Sequence, residues 1–303
     1  IHIVWGGLGM ALLLRSQGLS LWASLFGALT FEALPKLIAH FGAGHLTILY
    51  ALPWFPWLLW LSARPRSSQV STRFLLGPGC VLALIFLADP RMAALASLFW
   101  LIWVLMHLPE KGTSFQVKGS SGTRLPRLAF TTLWVLFELL IAFLLSSALA
   151  LPLLELIGLS PRGSMGGEGI LAFTLPPSRL LGLVYPDFGG NHELILYAGS
   201  PVLILAVLAV LWRHSTNSVR FWLVVLLMSL AIAAAGNLSL SDLAGRLPGI
   251  NLLRVPSRAL FLTGISLAAL AANGADQLIA TIADRQARFG RLVLAGFLFL
   301  GIA

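Results

Sequence analysis

Residues 128–151 read LAFTTLWVLFELLIAFLLSSALAL, and this stretch decides how the rest of the chain is interpreted. It holds 24 residues, of which only Glu138 is charged. A straight α-helix needs about 20 apolar residues to cross the hydrocarbon core of a bilayer. The stretch therefore predicts a transmembrane helix. A carboxyl group halfway along such a helix is by default a candidate functional group, although a protonated carboxyl or an interhelical pair explains Glu138 equally well.

The composition of the whole chain extends this prediction. Hydrophobic residues make up 58% of the 303 residues, charged residues make up 10%, and the mean hydropathy is +0.91. Soluble domains carry roughly 25% charged residues, so lipid must solvate much of this chain. The net charge of +9 does not indicate nucleic acid, because the arginines are scattered between apolar runs and do not form one continuous face. We expect membrane lipid as a partner and no nucleic acid.

Ten apolar segments run through the chain, and prolines such as Pro53 and Pro78 interrupt some of them. We predict an all-α fold, a polytopic transmembrane helix bundle of about eight to ten segments, some short or broken, in a single domain over 1–303. Broken helices are tolerated in a bilayer where they pack on protein or line a cavity. The chain starts with Ile and stops inside an apolar run, so we expect an interior portion of a longer protein, truncated at both ends. The segments are 1–14, 19–34, 45–62, 74–88, 92–107, 128–151, 197–212, 219–236, 257–273 and 292–303.

Basic residues concentrate in every second gap between these segments. One set of gaps holds 13 of the 20 basic residues, and positive charge is retained on the cytoplasmic side of membranes. The basic residues of the other gaps are accompanied by most of the acidic ones, and this set is assigned to the outside. The longest loop, 152–196, is then extracytoplasmic, and the polar stretch 108–127 is a cytoplasmic linker. The outer set contains Lys36, Asp89, Arg91, Glu155, Arg162, Glu168, Arg179, Asp187, Glu193, Asp242, Arg246, Arg254 and Arg258.

A first candidate site lies in Leu253-Arg-Val-Pro-Ser-Arg258, where the chain enters a segment from the outer side. Pro256 suits the first turn of a helix, since its missing N–H costs nothing there. Free N–H groups and the Arg258 guanidinium then converge at the outer interface, with Arg254 close in sequence. This combination favours a phosphate. The alternative is an arginine that only anchors the helix at the interface.

A second candidate is a polar cleft under the outer loop. Asp187, His192 and Glu193 lie within seven residues, and such groups bind a divalent cation or act as general acid or base. Their spacing matches no specific metal motif, so we assign no metal ligand and leave a divalent cation open. A solvated turn is the plainer interpretation. His40 and His45 flank a short outer turn, where they either line an outward cavity or make interfacial hydrogen bonds. We count His45 and Glu138 with the candidate residues of the polar cleft.

Three stretches resemble a known family. Gly7 to Gly18 with Trp54-Phe-Pro-Trp-Leu58, Tyr185-Pro-Asp-Phe-Gly-Gly190 with Tyr197-Ala-Gly-Ser-Pro201, and Leu253 to Arg258 resemble the middle of bacterial YfhO-type polytopic membrane proteins. That family is similar to GT-C glycosyltransferases, which use a polyprenyl-phosphate-linked sugar on the outer face of the bacterial inner membrane. The resemblance implies a multi-pass inner-membrane protein with a lipid-linked sugar as partner, whose donor phosphate meets Arg258 and Arg254.

The resemblance also limits what this chain supplies. In GT-C enzymes the catalytic Asp follows the first span, so we expect it to lie outside this chain and assign no catalytic residue. Walker A, dinucleotide, HExxH and GxSxG motifs are absent from the sequence. We expect part of an integral-membrane glycosyltransferase. A transporter or flippase for a lipid-linked or small substrate, favoured by Glu138 and the broken helices, and a non-catalytic membrane scaffold are the alternatives.

Overall fold

A computed structural model describes residues 1–63, 72–108, 114–116, 124–159, 171–186, 190–213, 216–238 and 255–300. These residues are helical apart from turns and one short antiparallel pair, β1 (Ser114–Gln116) with β2 (Arg124–Pro126), which lies inside the predicted 108–127 linker. The α-helices are α1 (His2–Ser16), α2 (Leu21–Glu32), α3 (Pro35–Gly42), α4 (Leu46–Ala51), α5 (Phe55–Ser62), α6 (Thr72–Ala88), α7 (Pro90–Met106), α8 (Arg127–Leu159), α9 (Ser200–Arg213), α10 (Asn217–Ala233) and α11 (Leu260–Leu300).

Three of the described helical stretches are long and apolar enough to cross a membrane. They are Leu21–Gly42, which combines α2 and α3, Leu128–Leu156 in α8, and Pro256–Asp284, which includes the start of α11. The remaining apolar helices are shorter than 18 residues. Length and composition therefore mark this chain as a membrane protein.

The helix boundaries differ from the predicted segments at several places. α3 lies in the predicted gap after segment 19–34, and segment 45–62 is divided into α4 and α5 by a 3₁₀ turn. α8 continues through Pro152 to Leu159, so the start of the predicted 152–196 loop is helical. Residues 260–273 and 292–300, which were assigned to two segments, belong to one helix, α11, although three arginines separate them. A basic cluster lowers hydropathy without breaking a helix, and the intervening residues include good helix formers such as Ala, Gln, Leu and Arg.

α11 is the central helix and α8 is a peripheral one. In their most apolar windows, 89% of the residues of Pro256–Asp284 are buried, against 17% for Leu128–Leu156. α11 packs mainly on α9, α10 and α2. Small residues allow the close approach, because a Cβ on Gly274 would overlap the Leu205 carbonyl of α9 and one on Gly27 would meet Ala272. Because the hydrophobic effect does not drive helices together in lipid, membrane helices pack through close contacts at small residues such as these.

The exposed face of α8 is apolar. Leu128, Leu136, Leu140, Leu144 and Leu154 are each more than half exposed. Soluble monomers rarely expose a contiguous apolar patch of more than a few hundred Å². Lipid contact is the simplest physical explanation for this surface.

The helices meet at two chemically different ends. At one end a cavity of about 450 Å³ is lined by the termini of α1, α5, α7 and α10, including Ser16, Ala63, His107 and Asn217. These termini border gaps that the charge pattern assigns to the cytoplasm. The opposite end collects Lys36, Asp89, Glu193 and Arg258, all from the gaps assigned to the outside.

Part of the predicted outer loop is packed on this second end. Leu175 and Leu196 form a small buried cluster with Ala233 and Leu260, at the C-terminus of α10 and the N-terminus of α11. The Leu175 N–H donates to the Ala233 carbonyl over 2.7 Å, and the Asn237 amide donates to the Leu175 carbonyl over 2.6 Å. The described part of the loop therefore covers the end of the helices.

Candidate functional site

Glu193 is the centre of a buried polar cluster at the second end. It lies in the short 3₁₀ turn His192–Leu194, which Asn191 fixes by accepting the Glu193 N–H over 2.9 Å. Its side chain is only 5% exposed. One carboxylate oxygen, Oε1, accepts from Arg258 Nε at 3.3 Å and Arg258 Nη2 at 3.2 Å. The other oxygen, Oε2, lies 3.2 Å from His40 Nε2. Both oxygens of the carboxylate are therefore engaged.

Arg258 reaches Glu193 from the turn that leads into α11. Pro256 occupies the start of the 3₁₀ turn Pro256–Ala259, as expected for a residue without an N–H. Val255, which precedes it, has φ 69° and ψ 72°. A β-branched residue in this left-handed region is an outlier that surrounding contacts must hold in place. The strained backbone directs Arg258 toward Glu193, where its side chain is 13% exposed.

Lys36 ties α3 to the same turn. Its residue is 5% exposed, and its ammonium group donates to the Glu193 carbonyl over 2.7 Å and to the His192 carbonyl over 3.4 Å. The Nζ atom also lies 5.0 Å from the centroid of the Phe261 ring. A buried ammonium is expensive unless it is paired and hydrogen-bonded. Here it neutralises part of the charge of Glu193 and fixes the backbone of the turn.

Three histidines surround the Glu193 carboxylate. His40 is fully buried on α3, one turn after Lys36, and His45 begins α4. The ring centroids of His40, His45 and His192 are 4.8 to 5.3 Å apart. One donor atom from each ring and one Glu193 oxygen lie within 4.8 Å of one another. These four residues are called the His/Glu cluster below.

The electrostatics of the cluster keep Glu193 ionised. Burial raises the pKa of Glu193, but the contact with His40 and the charges of Arg258 and Lys36 outweigh it and hold the pKa at about 2. Burial is also the largest cause at His45, where it lowers the pKa, and His192 lowers it further. The site therefore combines an anionic carboxylate with an uncharged His45 ring at neutral pH.

A second ion pair lies beside the cluster. Asp89 caps the N-terminus of α7, accepting from the Arg91 N–H at 3.0 Å, and its carboxylate receives two bonds from the Arg91 guanidinium at 2.9 and 2.6 Å. Thr47 on α4 donates to the same carboxylate over 2.9 Å. Burial raises the pKa of Asp89, but the bonds from Arg91 and Thr47 bring it below its ordinary value. This pair joins α4 to α7 next to the site.

Four of the predicted site residues come together here, namely Arg258, His192, Glu193 and His45. Arg254 and Asp187 lie outside the described residues. Glu138 has its described contact elsewhere, between α6 and α8, where its Oε2 accepts the Gly79 N–H over 2.6 Å. Lys36 was recognised only as an outer basic residue, and His40 only as a flank of the outer turn. The available signal was that Lys36 and His40 lie in a gap that the charge pattern assigns to the same side of the membrane as Glu193.

Comparison of the chain with family models, curated proteins and solved structures finds no match. What can be said of its function therefore depends on its own residues and geometry.

Proposed function

We propose that this chain is part of an integral-membrane glycosyltransferase of GT-C type, which uses a polyprenyl-phosphate-linked sugar donor on the extracytoplasmic face of a bacterial inner membrane. The observation that carries the proposal is the pair of buried cations, Lys36 and Arg258, around a single carboxylate at one end of the helices. The Arg258 guanidinium carries N–H groups beyond the two that bond Glu193, and the Lys36 side chain lies beside them. Donors of this kind favour an anion.

A phosphate headgroup suits this charge and position. Transfer of a sugar from a lipid-phosphate donor leaves negative charge on the departing phosphate, and preorganised donors stabilise charge that develops in the transition state. In the proposal Arg258 donates to the phosphate, while Glu193 keeps the guanidinium oriented when the site is empty. Arginine is suited to this role because its planar guanidinium bonds phosphate oxygens in pairs.

The surroundings favour a lipid-linked donor over a soluble one. α8 and the other apolar faces place hydrocarbon beside the helices, so a polyprenyl chain and a headgroup site at the helix ends are compatible. The base that activates the acceptor hydroxyl is assigned to no residue of this chain. The proposal therefore covers donor binding only.

The transporter alternative has less support than the sequence suggested. It was favoured by Glu138 and by the predicted broken helices, but α6 runs unbroken through Pro78, and the Glu138 carboxylate accepts the N–H of Gly79, the next residue. This contact gives Oε2 a structural role, while Oε1 is buried without a hydrogen-bond partner among the described residues. The scaffold alternative leaves the buried cations of the second end unexplained.

Binding of farnesyl phosphate tests the proposal on the protein purified in detergent. We expect this short polyprenyl phosphate to raise the thermal unfolding temperature of the wild type, and farnesol, which lacks the phosphate, to have no effect. Arg258→Ala removes charged hydrogen bonds worth about 1.5–3 kcal/mol each. We therefore expect affinity to fall by roughly 10- to 100-fold.

The controls separate lost binding from lost folding. Arg258→Lys keeps the charge and is expected to bind with intermediate affinity. Arg220→Ala removes an exposed arginine from the N-terminal part of α10, next to the opposite end of the helices, and should bind as the wild type does. Equal binding of farnesyl phosphate and farnesol, or undiminished binding by a folded Arg258→Ala protein, would refute the phosphate role.

A further inference from the structure

In the His/Glu cluster, a hydrogen bond from a neutral His40 ring does not explain the contact between His40 and Glu193. His40 Nδ1 lies 2.9 Å from the Lys36 carbonyl, which only accepts, so Nδ1 carries the proton. The Nε2 atom of a neutral His40 ring then presents a lone pair to Glu193 Oε2 at 3.2 Å. Two electron-rich atoms at this separation repel each other unless a proton or a metal ion lies between them.

Without a metal ion, a proton on His40 Nε2 fills this gap, and the charged ring pairs with Glu193, the contact that lowers the pKa of Glu193. Placing it on His40 makes a charged ring that is fully buried and only four residues from the Lys36 ammonium on the same helix. Placing it on Glu193 weakens the ion pair with Arg258. Neither choice uses the two other imidazoles, which lie with His40 around the same point.

His45 provides a second, independent sign that something is bound. Its Nδ1 atom is buried and has no hydrogen-bond partner among the described residues. Buried polar atoms are nearly always satisfied, and an exception indicates an ion or another group at that position. The unsatisfied atom belongs to the same four residues whose donor atoms lie within 4.8 Å of one another.

We propose that His40, His45, His192 and Glu193 bind a divalent first-row transition metal ion, of which Zn²⁺ is the best fit. Three imidazoles and one carboxylate match zinc, whereas Mg²⁺ and Ca²⁺ prefer oxygen ligands alone. Zn²⁺ bonds of about 2.0–2.1 Å in a tetrahedron separate the ligand atoms by about 3.3 Å. His40 Nε2 and Glu193 Oε2 already have nearly this separation, and all four ligand atoms lie within 4.8 Å of one another.

The residues around the cluster hold its proposed metal ligands in position. A histidine that binds metal through one nitrogen usually donates its other N–H to a carbonyl or carboxylate. His40 does this with the Lys36 carbonyl. Arg258 bonds Glu193 through Oε1 and leaves Oε2 for the ion, while Lys36 holds the backbone of His192 and Glu193.

The charge of the site predicts what the ion binds next. A divalent ion beside Lys36 and Arg258, with Glu193 as the one carboxylate of the cluster, leaves an excess of positive charge. An anionic oxygen ligand, a phosphate or a hydroxide, would compensate it. Metal binding itself does not rest on the proposed glycosyl transfer, and its test below uses no sugar or lipid ligand.

The test is metal content of the purified chain in detergent. The protein is stripped with a chelator, reloaded with Zn²⁺, freed of excess ion and analysed by elemental mass spectrometry. We expect one Zn²⁺ per chain in the wild type and a rise in unfolding temperature on loading. His45→Ala and His192→Ala, the two more exposed ligands, should each weaken binding by more than about 100-fold, beyond the range for loss of an outer partner.

The matched control is His107→Ala. His107 lies at the opposite end of the helices, where its Nδ1 donates to the Trp103 carbonyl, and its removal should leave metal binding unchanged. Co²⁺ provides a second readout, because its visible absorption distinguishes tetrahedral coordination by histidine and carboxylate from aqueous ion.

Two results would overturn the proposal. One is a wild-type protein that retains almost no Zn²⁺ after reloading while it remains folded. The other is retention of one Zn²⁺ per chain by both His45→Ala and His192→Ala, which would place the ion elsewhere. Since farnesyl phosphate binding is measured separately, failure of the metal site and failure of the donor-phosphate proposal remain distinguishable.

Discussion

At the scale of single residues, Glu193 makes stability depend on pH. Its pKa is about 2 in the folded protein and near 4.5 in the unfolded chain, so the unfolded chain takes up protons first as the pH falls. The stabilisation is complete above the unfolded pKa and is lost between about pH 4.5 and pH 2. The size of the shift corresponds to on the order of 3 kcal/mol.

Unfolding of the chelator-treated protein in detergent checks this prediction. The wild type should lose stability between pH 5 and pH 2.5, whereas Glu193→Gln, which does not titrate, should be less stable at neutral pH and show a shallower decline. Glu155→Gln removes an exposed carboxylate and serves as the matched control. An equally steep decline in Glu193→Gln would mean that other groups cause the acid sensitivity.

The sequence indicated several individual residues of this site, but it did not indicate which of them contact one another. Arg258, His192 and Glu193 stand out because they are polar residues next to apolar segments. Lys36 and His40 precede Glu193 by more than 150 residues, and no local pattern links residues so far apart. The signal that did exist was topological, since alternating charge placed all of them on the same side.

At the scale of helices, the proline turn of α6 and the Glu138 carboxyl form one structural unit. Pro78 lies inside α6 and removes one backbone donor, and the next N–H, that of Gly79, donates to Glu138 Oε2 on α8. In the hydrocarbon core of a bilayer no water is present to hydrogen-bond an unsatisfied backbone group. The closeness of α6 and α8 also depends on Gly79, because a Cβ there would lie 2.7 Å from the Glu138 carbonyl oxygen.

Substitutions at Glu138 separate this structural role from a transport role. Glu138→Ala leaves the Gly79 N–H unpaired and should lower the free energy of unfolding by about 1–3 kcal/mol. Glu138→Gln retains an acceptor oxygen and should stay close to the wild type in thermal stability measured in detergent. Loss of stability in Glu138→Gln equal to that in Glu138→Ala would show that the charge, and not the hydrogen bond, matters.

Hydropathy located the helices more reliably than it located their ends. Residues 128–151 lie inside α8, but the pattern missed the continuation through Pro152, because proline removes one hydrogen bond and crowds the preceding turn and therefore often ends a helix. It also divided α11, since hydropathy responds to Arg285, Arg288 and Arg291 and the backbone does not. Neither the hydropathy nor the charge pattern indicated that α11 is central.

At the scale of the whole molecule, the charge pattern and the packing agree on two ends. Termini that border the basic gaps line one cavity, and residues from the other gaps form the cluster around Glu193. This separation was predicted from the sequence because retention of positive charge on one side is a property of the whole chain and needs no tertiary contact. Which end faces the cytoplasm is a prediction of the same rule.

Cysteine labelling in intact expressing cells tests this arrangement most directly. In a Cys80→Ser background, S178C lies exposed in the loop packed on the end that carries Glu193, and N217C lies exposed at the end that carries the cavity. We predict that a membrane-impermeant thiol reagent labels S178C in intact cells and N217C only after the membrane is opened. Labelling of N217C but not S178C would invert the topology and place the anion site inside the cell, and labelling of both before opening would contradict a membrane between the two ends.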